Sequence, residues 1–426
     1  MEAAEKLPAH LKYVAYRLGP PQSVTPQQNH KDLGRELTYE DIVYSVLENG
    51  WPKTDAQLIL YLDLMFEGAW AKKVRQAAEL PLGAVIDPRV MRFNSSYKAF
   101  DDSRVMSPLC VARSRQLQSR RDMPGALNEL RTVLAISRLL ESKASSFGFH
   151  VGRGTERTAL AAWPSWLEGA GRDVPVLRAA LRSLLQHQAA KPNSAEALKS
   201  EYLAINNTLA MPESFNRYSR TELEAAALIE LRKAPWEQER ERRLINLVFQ
   251  AQFQLLDEPF WDSSNSMVHR PIHGPAADWT DEKWNRIGRQ SALVWDLIPV
   301  TTYHMRRGKA TSQRDLSATI LLTALALYQA ENSRPAARLE DISPRYLKAI
   351  PDDPVTGKPF QYRISAGEEI EGFPLPSGQS LTRQQLAKGQ GVLWSEAPDA
   401  PFDPALAAQR ICYYAVPVWN DGKRKK

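Results

Sequence analysis

His269 and His273 stand four positions apart, a spacing that on a helix puts two imidazoles on one face, where zinc or another divalent metal could be held with a carboxylate from Asp262 or Asp278. Pro271 lies between them and Gly274-Pro275 follows, so a regular helix is not expected and an ordered loop with locally bonded histidines is the favoured reading. Gly148, Gly152 and Gly154, with Arg153 and Arg157, suggest an anion-binding turn at a helix start. Their spacing fits neither the phosphate loop of nucleotide-binding proteins nor the dinucleotide fingerprint, and a flexible connection between helices is expected instead. No nucleophile elbow surrounds Ser145 or Ser165. Glu368-Glu369 is read as an exposed, glycine-flanked turn whose adjacent carboxyls point apart. Cys110 and Cys412 form neither a zinc pattern nor a disulfide framework. No residue is assigned a catalytic role on this basis.

Tryptophan supplies the other candidate chemistry. Trp163 with Trp166, Trp279 with Trp284, and Trp295 could line a groove for a peptide or polysaccharide, although packing between helices explains them more simply. Trp236, in the helix start Pro235-Trp236-Glu237, is expected to act as a structural staple.

Such residues need elements to hold them, and size and composition bound those elements. A chain of 426 residues exceeds the roughly 250–300 at which single cores stop growing, so two or more domains are expected. The net charge of +6 is spread through stretches in which both signs alternate, as on solvated helical faces, and no nucleic-acid partner is expected. The run Lys423 to Lys426 reads as a solubilising tail. The longest apolar stretch, Ala318 to Tyr328, is shorter than the roughly 20 residues that span a bilayer, and Met1 to Pro20 lacks the apolar centre of a signal peptide.

Residues 1–35 read as an arm or linker, with Pro20-Pro21 excluding helix. Apolar periodicity and capping residues then predict helices from Thr38 to about residue 48, from Thr54 to Ala78, and from Leu109 to about Leu140 with a break at 121–125. Further helices are expected at 155–169, 174–190, 194–209, 220–233, 236–257, 281–297 and 312–332, with loops at 81–105 and 259–280. The pair between Leu109 and Leu140 resembles a single tetratricopeptide-like helix pair, without a second copy at a fixed period. Strands are predicted at 360–364, 391–395 and 411–416.

The last hundred residues carry a resemblance. Ala324 to Tyr328 with Glu331-Asn332, Leu339-Glu340-Asp341-Ile342, Tyr346 to Pro351, Asp353-Pro354, Gly357 to Arg363, and Leu393-Trp394-Ser395 with Pro398-Asp399 are similar in order to the carboxyl half of type II secretion major pseudopilins. Together with Gly125-Ala126-Leu127 and Ala234-Pro235-Trp236-Glu237, they resemble an uncharacterised family of bacterial envelope proteins frequent in planctomycete-type bacteria. The resemblance implies a mainly α protein: a multi-helix domain over 36–310, then a small α+β module with a short antiparallel sheet over 311–426. It implies an extracytoplasmic or cell-envelope location, with a membrane anchor ahead of Met1 in a longer native form; a cytoplasmic location is the other possibility. It also implies a calcium loop, with Asp399 and Asp403 as carboxylate ligands and Ser395 nearby, although Ala400 stands where glycine is expected. No other cofactor is expected.

The functional expectation is a non-catalytic envelope scaffold with protein partners, its oligomeric state open. The alternatives are an enzyme acting on an envelope polymer at a cleft near residues 259–280, and a subunit of a filament or secretion apparatus.

Overall fold

A computed structural model describes residues 46, 51, 56–80, 83–92, 97–210, 235–256, 259–260, 280, 282–283, 286, 298–371, 383–396, 411–417 and 419. Among them the chain is mainly helical, with nine α-helices and a small antiparallel sheet. The helices expected at 220–233 and over most of 281–297, and the segment 1–45, lie outside the described residues.

Helices α1 (Ala56–Glu67) and α2 (Ala69–Ala78) form where one helix was expected. Gly68 separates them, its extended backbone ending one helix and capping the next. Helix α3 (Lys98–Ser119) begins in the segment predicted as loop and contains Pro108, so a lost backbone donor inside a helix is outweighed by burial of Phe100, Leu109 and Val111. Asp122 starts α4 (Met123–Glu141) by accepting the Gly125 amide at 2.9 Å. The same device opens α6 (Val174–Ala189), through Asp173 and the Val176 amide, and α7 (Ser194–Leu209), through Asn193 and the Ala195 amide.

Helix α5 (Ser146–Ala170) corrects the expectation of a flexible connection at the 148–154 glycines. These glycines lie within the helix, and two of them let it approach its neighbours. A Cβ on Gly148 would sit 2.6 Å from the Phe100 ring, and one on Gly152 would sit 2.6 Å from Glu141 Cγ and 2.8 Å from the Ser137 carbonyl of α4. Nothing lies within 4 Å of the same position on Gly154.

Helices α8 (Pro235–Leu256) and α9 (Ile298–Asn332) complete the helical part. Trp236, expected as a staple, is 71% exposed. Residues 314–328 of α9 are buried on every side, as expected for a helix at the centre of a protein rather than on its surface. No helix among the described residues is long and apolar enough to cross a membrane. Position 311, where the terminal module was expected to begin, falls inside α9.

Beyond a short 3-10 turn at Leu339–Ile342, strands β1 (Gln361–Ile364), β4 (Gly391–Glu396) and β5 (Ile411–Ala415) form an antiparallel sheet in the order β1-β4-β5. Tyr362 faces Leu393 and Trp394 faces Tyr413 across it. The short strands β2 (Glu369–Glu371) and β3 (Arg383–Gln385) pair separately, so Glu369 opens a strand where a turn was read. One core runs through both parts of the chain: Trp163, Trp166 and Leu321 pack in the same cluster as Leu393, Tyr414 and Val416. A polar link reinforces it, since Asp315 of α9 accepts from Arg314 at 3.0 Å and from the Tyr414 hydroxyl at 3.1 Å.

The glycine seam is testable. Gly152→Ala should destabilise the protein by about 1–3 kcal/mol through overpacking against α4. Gly154→Ala, which meets only open space, should stabilise it by about 0.5–1 kcal/mol. Chemical denaturation of the two variants checks both signs.

Candidate functional site

The outward face of α4 carries Asn128, Arg131, Ala135 and Arg138. Around it opens a groove of about 640 Å³, bordered by α2 and α3 on one flank and by α6 on the other. The volume lies in the range of small-molecule and peptide sites. Its two flanks differ in chemistry.

On the α2 and α3 flank sits Glu129, only 3% exposed. Arg75 Nη2 donates to its Oε1 at 2.5 Å, while Oε2 receives no hydrogen bond from any described residue. Burial raises the Glu129 pKa, with the charges of Arg75 and Arg113 pulling the other way. Arg113 is itself engaged by Asp63 at 2.5 Å. A buried carboxylate oxygen left unpaired costs about 1–3 kcal/mol or more.

On the α6 flank the wall is Arg138 and His187, with Ser183 and Gln186 beside them. Arg138 Nη1 lies 2.6 Å from His187 Nδ1. Because a guanidinium can only donate, Nδ1 must accept, and the ring proton therefore resides on Nε2. That proton points at Glu156 Oε1, 2.7 Å away. Behind the ring, Lys191 Nζ donates to both Glu156 oxygens at 2.8 and 2.7 Å and to Ser312 Oγ at 2.8 Å, and Ser312 donates onward to Glu156 Oε2.

Glu156 has no exposure to water. Burial alone would push its carboxyl up, but the Lys191 charge together with the His187 and Lys191 hydrogen bonds holds it well below the usual glutamate range. His187 moves down as well: burial disfavours the imidazolium and the cations Lys191 and Arg138 add to this, against the opposing pull of Glu156. One turn beyond Arg138, Glu141 is buried with neither oxygen hydrogen-bonded by a described residue, and burial raises its pKa. Arg153 lies 3.8 Å from it, stacks 4.1 Å from the centre of the Phe149 ring and donates to the Gly308 carbonyl of α9.

In chemical terms this is a charged groove backed by a closed hydrogen-bond network. A general base needs a free nitrogen within reach of its substrate, and both nitrogens of His187 are occupied by Arg138 and Glu156. Ser312 is consumed in the same network.

The residues singled out from sequence are distributed elsewhere. His269, His273, Asp262, Asp278, Asp399 and Asp403 lie outside the described residues, as do Trp279, Trp284 and Trp295. Ser395 is buried in β4, where its hydroxyl donates to Asp353. Asp353 also accepts the Val355 amide at 2.8 Å, so this serine clamps the 353–358 turn to the sheet. Among the described residues no group of three or more His, Cys, Asp or Glu is placed to hold a metal. Arg153 is in the interior rather than at an anion-binding turn. Trp163 and Trp166 are fully buried, donating to Thr323 Oγ1 at 3.1 Å and the Met123 carbonyl at 3.3 Å. Cys110 is a buried free thiol whose pKa burial pushes up.

Sequence reasoning missed Glu156, His187, Lys191 and Ser312, although a signal was present. His187 falls in the apolar register Leu177, Ala180, Leu181, Leu184 of α6, and Glu156 falls in the register that carries Ala159, Leu160 and Trp163 of α5. A charged or titratable residue in line with core positions must be paired inside.

No family model matches the chain, and no match was found among curated proteins or solved structures.

The network carries a pH signature. Because the folded pKa of His187 lies below its unfolded value near 6.5, the unfolded chain binds the extra proton first, and stability is lost as pH falls through about 6.5 towards the folded value. His187→Gln should remove that part of the loss. Denaturation curves for the two proteins between about pH 7 and pH 5 should therefore converge towards the acid end.

Proposed function

We propose that the protein is a non-catalytic scaffold of the cell envelope that binds a protein partner in the groove across α4. The observation that carries this reading is a groove of about 640 Å³ whose histidine has both ring nitrogens committed to its own protein. Such a wall presents fixed charge and shape to a ligand, and its histidine has no ring nitrogen free to take up or deliver a proton. The rigid helical body behind it suits the same role, because recognition is most selective when the surface is ordered before the partner arrives. The envelope location rests on the resemblance of the terminal segment to the pseudopilins, and secretion or pilus components are the partners it favours.

Crosslinking of the full-length protein in envelope extracts, read by mass spectrometry, tests the proposal. Reproducible enrichment of secretion or pilus components is expected. Recovery of no protein partner would overturn the reading and direct attention to small ligands and polymers.

A further inference from the structure

The two flanks of the groove leave complementary needs unmet. On the α6 flank, Arg138 is half-buried, and no carboxylate among the described residues comes within ion-pair distance of it; its one close side-chain partner is the neutral ring of His187. Arg131, exposed on the same helix, has among the described residues only the Asn128 amide oxygen, at 3.3 Å. The α6 residues beside them, Ser183 and Gln186, are uncharged. The buried charges behind this wall are Lys191 and Arg153 against Glu156 and Glu141, so with Arg138 and Arg131 the cations exceed the anions. A guanidinium freed from carboxylates at the edge of an open groove favours a planar oxyanion, which it can grip with two parallel hydrogen bonds.

On the other flank, Glu129 Oε2 is a buried oxygen to which no described residue donates. Positions 129 and 138 are about two and a half helical turns apart, on opposite flanks of α4. Rise and helix width together separate them by roughly 17 Å, the span of about five extended residues.

We propose that the groove receives an extended acidic segment of a partner polypeptide, with a Glu or Asp carboxylate held by Arg138 and Arg131 and a main-chain N–H given to Glu129 Oε2. This deepens the partner-binding reading and rests on it for the partner's being a protein. The acids that line the groove are Glu79, Asp122 and Glu129, and among the described residues none of them comes within ion-pair distance of Arg131 or Arg138. A basic segment would meet the wrong charge at Arg138 and Arg131, and a small anion would leave Glu129 unsatisfied.

The test uses the full-length protein and a fluorescein-labelled, end-capped peptide of about six residues alternating Glu and Gly, read by fluorescence anisotropy. Saturable binding is expected, weakened about tenfold or more by Arg131→Glu. Lys388→Glu makes the same change of charge on an exposed loop of the terminal part and should leave binding unchanged. Equal losses in the two variants, equally tight binding of the matching Lys and Gly peptide, or absence of binding would each overturn the proposal. Inorganic phosphate provides another arm: displacement of the peptide at equal concentration would show a small-anion site and overturn the peptide assignment. The two proposals fail separately. A crosslinked partner retained by Arg131→Glu removes this site and leaves partner binding standing, whereas peptide binding without any crosslinked partner does the reverse.

Discussion

A carboxylate sealed from water organises this protein. Glu156 is charged, has no exposure, and must be answered by donors that the rest of the chain brings to it. His187 and Lys191 arrive from α6 and the residues just past its end, and Ser312 from α9, so one side chain of α5 dictates where two other elements lie. Removing one member of such a group leaves charge stranded inside, which costs several kcal/mol, whereas the complete set holds a single arrangement of the helices. Arg138 is placed by the same constraint, because the histidine tautomer that serves Glu156 is the one that accepts from Arg138. The outer face of the groove thus inherits its geometry from a charge that never reaches it.

The helices can come this close because α5 lacks side chains where it meets its neighbours. Gly148 admits the Phe100 ring and Gly152 admits the Glu141 stem, while the tryptophans further along the helix supply bulk and place their two N–H groups on interior acceptors. Bulk and absence of bulk alternate along one helix. The seam is narrow at one end and filled at the other, which brings Arg153 into the interior beside Phe149 and within reach of the α9 backbone.

Much of the fold was legible in the sequence because its signals are local. Asp173 and Asn193 cap α6 and α7 where those helices were expected to start, and the strands containing Tyr362, Leu393 and Tyr414 form where alternation placed them. What was not legible depended on distant contacts. The Gly148 to Gly154 stretch has the composition of a loop and becomes helical because neighbouring helices require close approach. The start of α3 has polar residues and a proline, and burial of Phe100 decides its state. The network of Glu156, His187, Lys191 and Ser312 draws on three stretches of chain separated by up to 156 positions, and no short motif can announce it. Histidines and aspartates close together in sequence drew attention first, while the titratable residues that converge in space are dispersed along the chain.

Helix α9 has a mechanical consequence. Its 35 residues make a rod of about 52 Å that holds Ser312 in the Glu156 network and Asp315 against Tyr414 of the sheet. Those two anchor points are less than one helical turn apart, and no joint interrupts the rod between them. Tension applied to the terminal strand β5 would therefore reach the buried ion cluster through less than one turn of helix, with no linker between them to absorb it.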